Sequence, residues 1–205
     1  MPFIYGVISN LEFGVKLTMK CSVYIATSAD GYIATPEGDV NWLHTAGNSE
    51  ADMSKNPDMG FNEFVASVDC MIMGRKCMDA ISSFNLTPEQ WPYGDTKVYV
   101  LSNSINEPPE NLRGQVEMYS GDILKLISHL ETEGYKHAYI DGGTTITAFI
   151  NLQLINEITI TKAPIILGKG IPLFGEINSS VKLINSEAIA FPNDFVQVKH
   201  GVNYL

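Results

Sequence analysis

The sequence predicts an α/β fold: a mixed, mostly parallel sheet flanked by helices, closed by a C-terminal antiparallel hairpin. Three observations predict it. Short β-rich apolar runs alternate with segments of helical periodicity between residues 20 and 151, an order that needs crossover connections and so a parallel sheet. After residue 155 the helical periodicity stops, and the runs 181–189 and 195–202 flank Pro192-Asn193-Asp194, which reads as a hairpin on one edge. No repeat, low-complexity run or linker divides the chain, whose 205 residues suffice for one substantial core.

The elements follow in order. Cys21-Ser22-Val23-Tyr24-Ile25-Ala26 is a buried strand, and Asp30-Gly31 and Pro36-Glu37-Gly38-Asp39 supply turn chemistry to the long loop after it. Trp42 either lines a pocket there or pins the loop to the core. Residues 44–60 are polar and read as a surface loop or an irregular helical segment. Phe61 to Ala66 has helical spacing, and Asp69-Cys70-Met71-Ile72-Met73 is a second strand that breaks at Gly74. A helix opens at Arg75-Lys76-Cys77-Met78. Residues 84–96 connect it to a third strand, Lys97 to Leu101, and Gln115 to Tyr119 alternates as a fourth. Ile123, Leu124, Leu126, Ile127 and Leu130 give an amphipathic helix that Gly134 closes. Ala138-Tyr139-Ile140 is the next strand and a helix follows over 144–151. Glu157 to Thr161 alternates strictly, and 163–174 is an apolar, turn-rich segment.

Composition narrows the function. A net charge of −10 argues against nonspecific nucleic-acid binding, although a local basic pocket still accommodates an anionic ligand. No apolar run approaches the roughly 18 to 20 residues that span a bilayer. Cys21, Cys70 and Cys77 match no metal or redox spacing and read as reduced, mostly buried thiols, which suits a cytoplasmic location. Of the histidines, His44 reads as exposed, and His129, His137 and His200 as surface residues of helix or strand. Met19-Lys20 stands directly before the first strand. Met19 is therefore a plausible start, with residues 1–18 an N-terminal extension and 19–205 the domain proper.

Three strand ends carry groups suited to an anion. Gly74-Arg75-Lys76 and Gly142-Gly143-Thr144-Thr145 each join a strand to a helix start, where free N–H groups and the positive end of the dipole favour phosphate. Ser102-Asn103-Ser104 ends a third strand. Cations at a helix start oppose its dipole, so Arg75 and Lys76 either await an anion or extend into water. In open α/β sheets ligands bind beyond the carboxyl ends of the strands, and all three segments lie there. A GxGxxG fingerprint is absent, which disfavours a Rossmann site.

Ser28-Ala29-Asp30-Gly31-Tyr32-Ile33-Ala34, Met73-Gly74-Arg75-Lys76, Val100-Leu101-Ser102 and Ile140-Asp141-Gly142-Gly143 resemble the dihydrofolate reductase superfamily. The segment Pro164 to Phe174 is similar to the branch that includes the C-terminal reductase domain of bacterial riboflavin biosynthesis, and the resemblance runs over about residues 19–202. It implies a dihydrofolate-reductase-like sheet with NADPH laid across it. Ala26 and Ile33 then touch the nicotinamide, Gly74, Arg75, Lys76 and Cys77 surround the phosphates, and Leu101, Ser102 and Asn103 hold the adenosine and 2′-phosphate. Gly142, Gly143, Thr144 and Thr145 form the pyrophosphate turn, where the family commonly has a cis Gly-Gly bond. A dimer through the later strands is also implied.

Departures bear on the substrate. No carboxylate lies between Trp42 and Glu50, where folate reductases carry their acid, which argues against folate. Asp141 resembles the glutamate of riboflavin-pathway reductases, Cys77 replaces a threonine, and the deaminase domain often fused to the riboflavin reductase is missing. The expectation is an NADPH-dependent reductase of a small heterocyclic or carbonyl-type substrate. Asp141 and Asp30 are the candidates for orienting substrate or assisting proton transfer, and the commoner reading of Asp30 is a turn-forming Asp-Gly. The alternative is an NADP(H)-binding protein of the same fold without chemistry.

Overall fold

The computed structural model describes residues 17–205; the expected extension over 1–18 lies, up to residue 16, outside them. Strand β1 (Lys20–Thr27) is followed by a short β2 (Tyr32–Ala34), a single helical turn α1 (Trp42–Thr45) and α2 (Phe61–Ala66). Then come β3 (Cys70–Gly74), α3 (Arg75–Ser83), β4 (Lys97–Leu101), β5 (Val116–Tyr119) and α4 (Ile123–Thr132). The chain continues through β6 (His137–Asp141), α5 (Gly143–Asn151), β7 (Ile155–Lys162), β8 (Ile171–Pro172), β9 (Val181–Ala190) and β10 (Val196–Tyr204).

Eight strands form one sheet in the order β5-β4-β3-β6-β1-β7-β10-β9. The pairings from β5 to β7 are parallel, and β10 is antiparallel to both β7 and β9. The expected parallel sheet with an antiparallel edge is therefore present. Side-chain alternation along the strands divides the core between two faces. Cys70, Ile72, Ala138 and Ile140 face α4 and α5, packing with Leu126, Leu130, Ile146 and Phe149. Met71, Met73, Val98, Val100 and Tyr139 face α2 and α3, with Met78, Phe61 and Phe64 above them. Burying both faces explains why these strands read as continuous apolar runs.

The segment 44–60 is the surface loop expected of it, and the segment 163–174 adds a short strand to its turns. The polar segment 44–60 begins with α1 and is otherwise a run of turns closed by its own side chains. Asn48 accepts from the Glu50 N–H, Asp52 from Ser54, and Asp58 from Gly60 and Asn62. The turn-rich segment 163–174 contains β8, which pairs antiparallel with β2 (Tyr32 with Pro172, Ala34 with Ile171). Strands of three and two residues are too short to show alternation in sequence. His137 departs from the surface role expected of it. It is half-buried, one ring nitrogen 2.9 Å from the Ser67 carbonyl and the other 2.8 Å from the Ser22 hydroxyl. No described helix is long and apolar enough to cross a membrane.

Candidate functional site

Strands β4, β3, β6 and β1 are neighbours in the sheet, so Ser102, Gly74, Gly142 and Thr27 are the consecutive C-terminal exits of four parallel strands. The three segments singled out in the sequence thus lie side by side on one edge. At its centre the starts of α3 and α5 touch. Gly74 precedes α3, and a Cβ there would come within 2.9 Å of the Thr145 hydroxyl in the first turn of α5. Two nine-residue helices therefore present their N-termini together, each with N–H groups that helix geometry leaves unpaired.

Gly142 makes the turn into α5 with φ 91° and ψ 131°, a conformation that an L side chain rarely adopts. All peptide bonds among the described residues are trans, so the cis Gly142–Gly143 bond implied by the resemblance is not used. The positive φ of Gly142 provides the reversal instead. The room left by the glycines is taken by protein on two sides. A Cβ on Gly142 would overlap the Cys77 sulfur, and one on Gly143 would meet the Pro172 and Leu173 carbonyls at 2.9 Å and the Ile33 side chain at 3.3 Å. Ile33 and the 172–173 segment thereby flank the start of α5, next to the end of β1 where Ala26 lies.

The cations are placed differently. Arg75 Nη1 lies 2.5 Å from Asp79 Oδ2 one helical turn on, so a carboxylate of α3 itself offsets the cation at its start. Both side chains are about two-fifths exposed, at 41% and 43%, and water screens such a pair enough for a phosphate to compete for the guanidinium. Lys76 is exposed. Ser102 is buried, and its hydroxyl accepts from the Ser104 and Ile105 N–H groups at 3.2 and 3.1 Å, which closes the turn after β4. Asn103 is exposed beside Ser120, and Leu101 is half-buried against the core.

The two candidate acids occupy opposite electrostatic environments. Asp30 accepts from the Ser28 hydroxyl at 2.6 Å and from the Leu167 and Gly168 N–H groups at 3.1 and 2.8 Å. The Ser28 bond, helped by the two backbone donors, holds its carboxyl below the usual carboxylate range. Its visible work is to clamp the loop after β1 onto the 163–174 segment. Asp141, at the end of β6, faces α3 beside Cys77 and Tyr139. Burial pushes its carboxyl up, and the Gly142 N–H, the Cys77 thiol and the Tyr139 hydroxyl beside it offset that only in part. A carboxyl that keeps its proton more readily than usual can serve as an acid. Burial and the neighbouring Asp141 charge raise the Cys77 thiol as well, so it is a poor nucleophile.

Other residues near this edge were not singled out from sequence. The Tyr24 hydroxyl donates to the Met59 carbonyl at 2.5 Å, and Gln197 Nε2 donates to Tyr24 Oη and Thr161 Oγ1 at 2.8 and 2.9 Å. These polar groups tie β1, β7 and β10 to the turn before α2. Strand alternation puts Tyr24 on the Ala26 face, but the pairing with Gln197 depends on strand order, which sequence periodicity does not reveal. Asp79, four residues after Arg75, was in principle visible as an ion-pair partner. Trp42 is buried against Ala163, Phe191 and Phe195, so it pins the loop. The Thr27 hydroxyl, on a residue 1% exposed at the end of β1, has no hydrogen-bond partner among the described residues.

The residues present therefore fit a nucleotide diphosphate. Two adjoining helix N-termini, the exposed Lys76 and an exposed Thr144 hydroxyl lie together, with the buried Thr27 hydroxyl, unpartnered among the described residues, at the neighbouring strand end.

Comparison with known proteins identifies a family and a fold. The family model of the RibD C-terminal domain matches residues 20–197. A crystal structure of a Shewanella sp. PV-4 protein, named provisionally for riboflavin biosynthesis, superposes with a TM-score of 0.80 at 37% identity, covering 91% of this chain and all (100%) of that one. The Bacillus subtilis (strain 168) protein YwjB is 31% identical over 166 residues, 80% of this chain and 87% of its own. Dihydrofolate reductase from Enterococcus faecalis, solved with NADP(H), shares the fold at a TM-score of 0.59 and 13% identity, with 92% and 98% of the two chains covered.

Proposed function

Because the chain belongs to the RibD C-terminal domain family, we propose that it is an NADPH-dependent reductase of a small heterocyclic or carbonyl-type substrate. The observation that carries this reading is the contact between the starts of α3 and α5 at the carboxyl edge of the sheet. NADPH, when bound, supplies the hydride. The N–H groups of Gly143, Thr144 and Thr145 and the Lys76 ammonium hold its pyrophosphate. Arg75 leaves Asp79 to pair with the 2′-phosphate, for which its planar fork is suited. Cys77 packs behind Gly74 and the glycine turn, and Leu101, Ser102 and Asn103 shape the adenosine end. Ala26 and Ile33 wall the nicotinamide on the β1 side. Asp141 offers a proton or a hydrogen bond to the substrate, and Asp30 keeps the loop over the site closed.

A second reading, an NADP(H)-binding protein without chemistry, draws on one observation. Protein groups already engage both candidate acids: Asp30 takes three hydrogen bonds, and Asp141 lies against Cys77, Tyr139 and Gly142. The test between them is to saturate the protein with NADPH and follow absorbance while pyrimidinones, pterins and simple carbonyl compounds are added. Oxidation with any of them supports the reductase. Tight binding with no oxidation across the panel supports the second reading.

The assembly we propose is a homodimer through β9 and β10. Leu183, Ile189 and Val196 are 41%, 54% and 40% exposed on this hairpin. Light scattering should give twice the mass of one chain, and a monomer would remove the idea.

A further inference from the structure

Gln197, near the start of β10, buries an amide on the sheet face that carries Tyr24 and Ala26. Ala26 of β1 pairs with Thr161 of β7, and Thr161 pairs with Gln197, so the three form one row across neighbouring strands. Strands lie about 4.8 Å apart, which puts Thr161 one strand and Gln197 two strands from Ala26. Gln197 Nε2 donates to Tyr24 Oη at 2.8 Å, to Thr161 Oγ1 at 2.9 Å and to the Met59 carbonyl at 3.2 Å. A carbonyl can only accept, and Tyr24 already gives its own proton to Met59, so the amide must present its nitrogen on this side. Its oxygen is left over. Oε1 has no donor among the described residues and is not one of their fully enclosed atoms without a partner. Thr161 Oγ1 accepts from Gln197, and its own proton has no acceptor among the described residues. Two residues further along the same strands, Ala163 and Phe195 hold Trp42, whose buried Nε1 also lacks a partner among the described residues. A buried amide fixed at one end and free at the other is unfavourable for folding alone, and it is what a recognition site requires.

We propose that Gln197 selects the substrate: its Oε1, fixed by the bonds of the same amide to Tyr24, Thr161 and Met59, accepts a hydrogen bond from an N–H that the substrate carries beside its reducible carbon. The Thr161 hydroxyl, one strand nearer to Ala26, donates to an acceptor on the same edge of the substrate. An acceptor and a donor side by side match a neutral cyclic amide. A simple aldehyde or ketone has no N–H and leaves Oε1 unpaired, and a site built to bond a substrate N–H rejects the analogue without it for that reason. The proposal rests on the reductase reading for the place of the nicotinamide beside Ala26, and it narrows the substrate class of that reading.

The experiment is an NMR titration of the full chain, with and without NADP+, using two pairs of probes: δ-valerolactam and succinimide, each against its N-methyl derivative. The members of a pair differ only in the N–H. At least one parent compound should shift the side-chain amide signals of Gln197, assigned by their loss in Gln197→Met, and bind about tenfold more tightly than its methylated form. Gln197→Met should abolish that preference by weakening the parent and leaving the methylated compound unchanged. If Gln197→Met does not fold, Tyr24→Phe removes one acceptor of the amide, keeps the ring, and should reduce the preference part of the way. Equal affinities within both pairs, a preference that neither variant alters, or binding of neither parent overturns the proposal. The two readings fail separately. An N–H preference that depends on Gln197, with no oxidation of NADPH by any compound, defeats the reductase reading and leaves the role of Gln197 standing. Oxidation of NADPH by a simple ketone at a rate that Gln197→Met does not change does the reverse.

Discussion

Asp141 is a carboxyl that folding makes harder to ionise, and the consequence can be worked out with its sign. Its folded value is raised above the ordinary 3.8 chiefly by burial. Below that ordinary value both folded and unfolded chains hold the proton. As pH rises past it the unfolded chain ionises first, so stability falls until pH passes the raised folded value. Asp141→Asn removes this loss. Its melting temperature should match the wild type below the ordinary 3.8 and exceed it as pH rises, the gap levelling off once pH passes the raised folded value, measured by calorimetry across the range. Turnover should meanwhile drop by about 10²-fold or more, the usual worth of a positioned acid, with NADPH affinity unchanged. Arg75 gives a second prediction at this scale. Asp79→Ala frees the guanidinium and should tighten NADPH binding several-fold, with NADH binding unaltered. Asp79 lies one turn from Arg75, so the pair could be read in sequence, whereas the nearness of Asp141 to Cys77 and Tyr93 could not. Those neighbours lie 64 and 48 residues earlier in the chain and are brought near by packing alone.

The glycine turn into α5 is held by geometry and by contact together, and two variants separate them. Gly142 and Gly134 both have φ near +90° (91° and 96°), but only at Gly142 would a Cβ overlap a neighbour. Gly134→Ala should cost about 1 kcal/mol through backbone strain, and Gly142→Ala about 2–4 kcal/mol because Cys77 must also move. Urea unfolding of the two variants measures the difference. Capping is a local matter and therefore legible: the Asp122 side chain accepts from the Lys125 N–H at 3.0 Å, where the onset of the amphipathic pattern placed a helix start. The helices and long strands were legible for the same reason, since their periodicity reports the face they bury. The β2–β8 ribbon was not, because it is defined by pairing partners 140 residues apart rather than by alternation (Tyr32 with Pro172).

At the scale of the whole molecule, strand order turns scattered motifs into one edge. Sequence indicated that three strands end in anion-compatible residues, and the order β4-β3-β6-β1 makes those ends adjacent. Their use of space was less legible. Paired glycines read equally as room for a ligand or as room for protein, and here Cys77, Pro172 and Leu173 fill part of it. What remains open to a nucleotide is the row of helix N–H groups, Lys76 and Thr144. The measurement that tests the account most directly is calorimetric titration of the purified protein with NADPH and NADH, repeated on Arg75→Ala. NADPH should bind more tightly than NADH, and Arg75→Ala should weaken NADPH alone by about tenfold, the worth of one charge-assisted contact. Equal affinity for the two nucleotides in both proteins, or binding of neither, would contradict it.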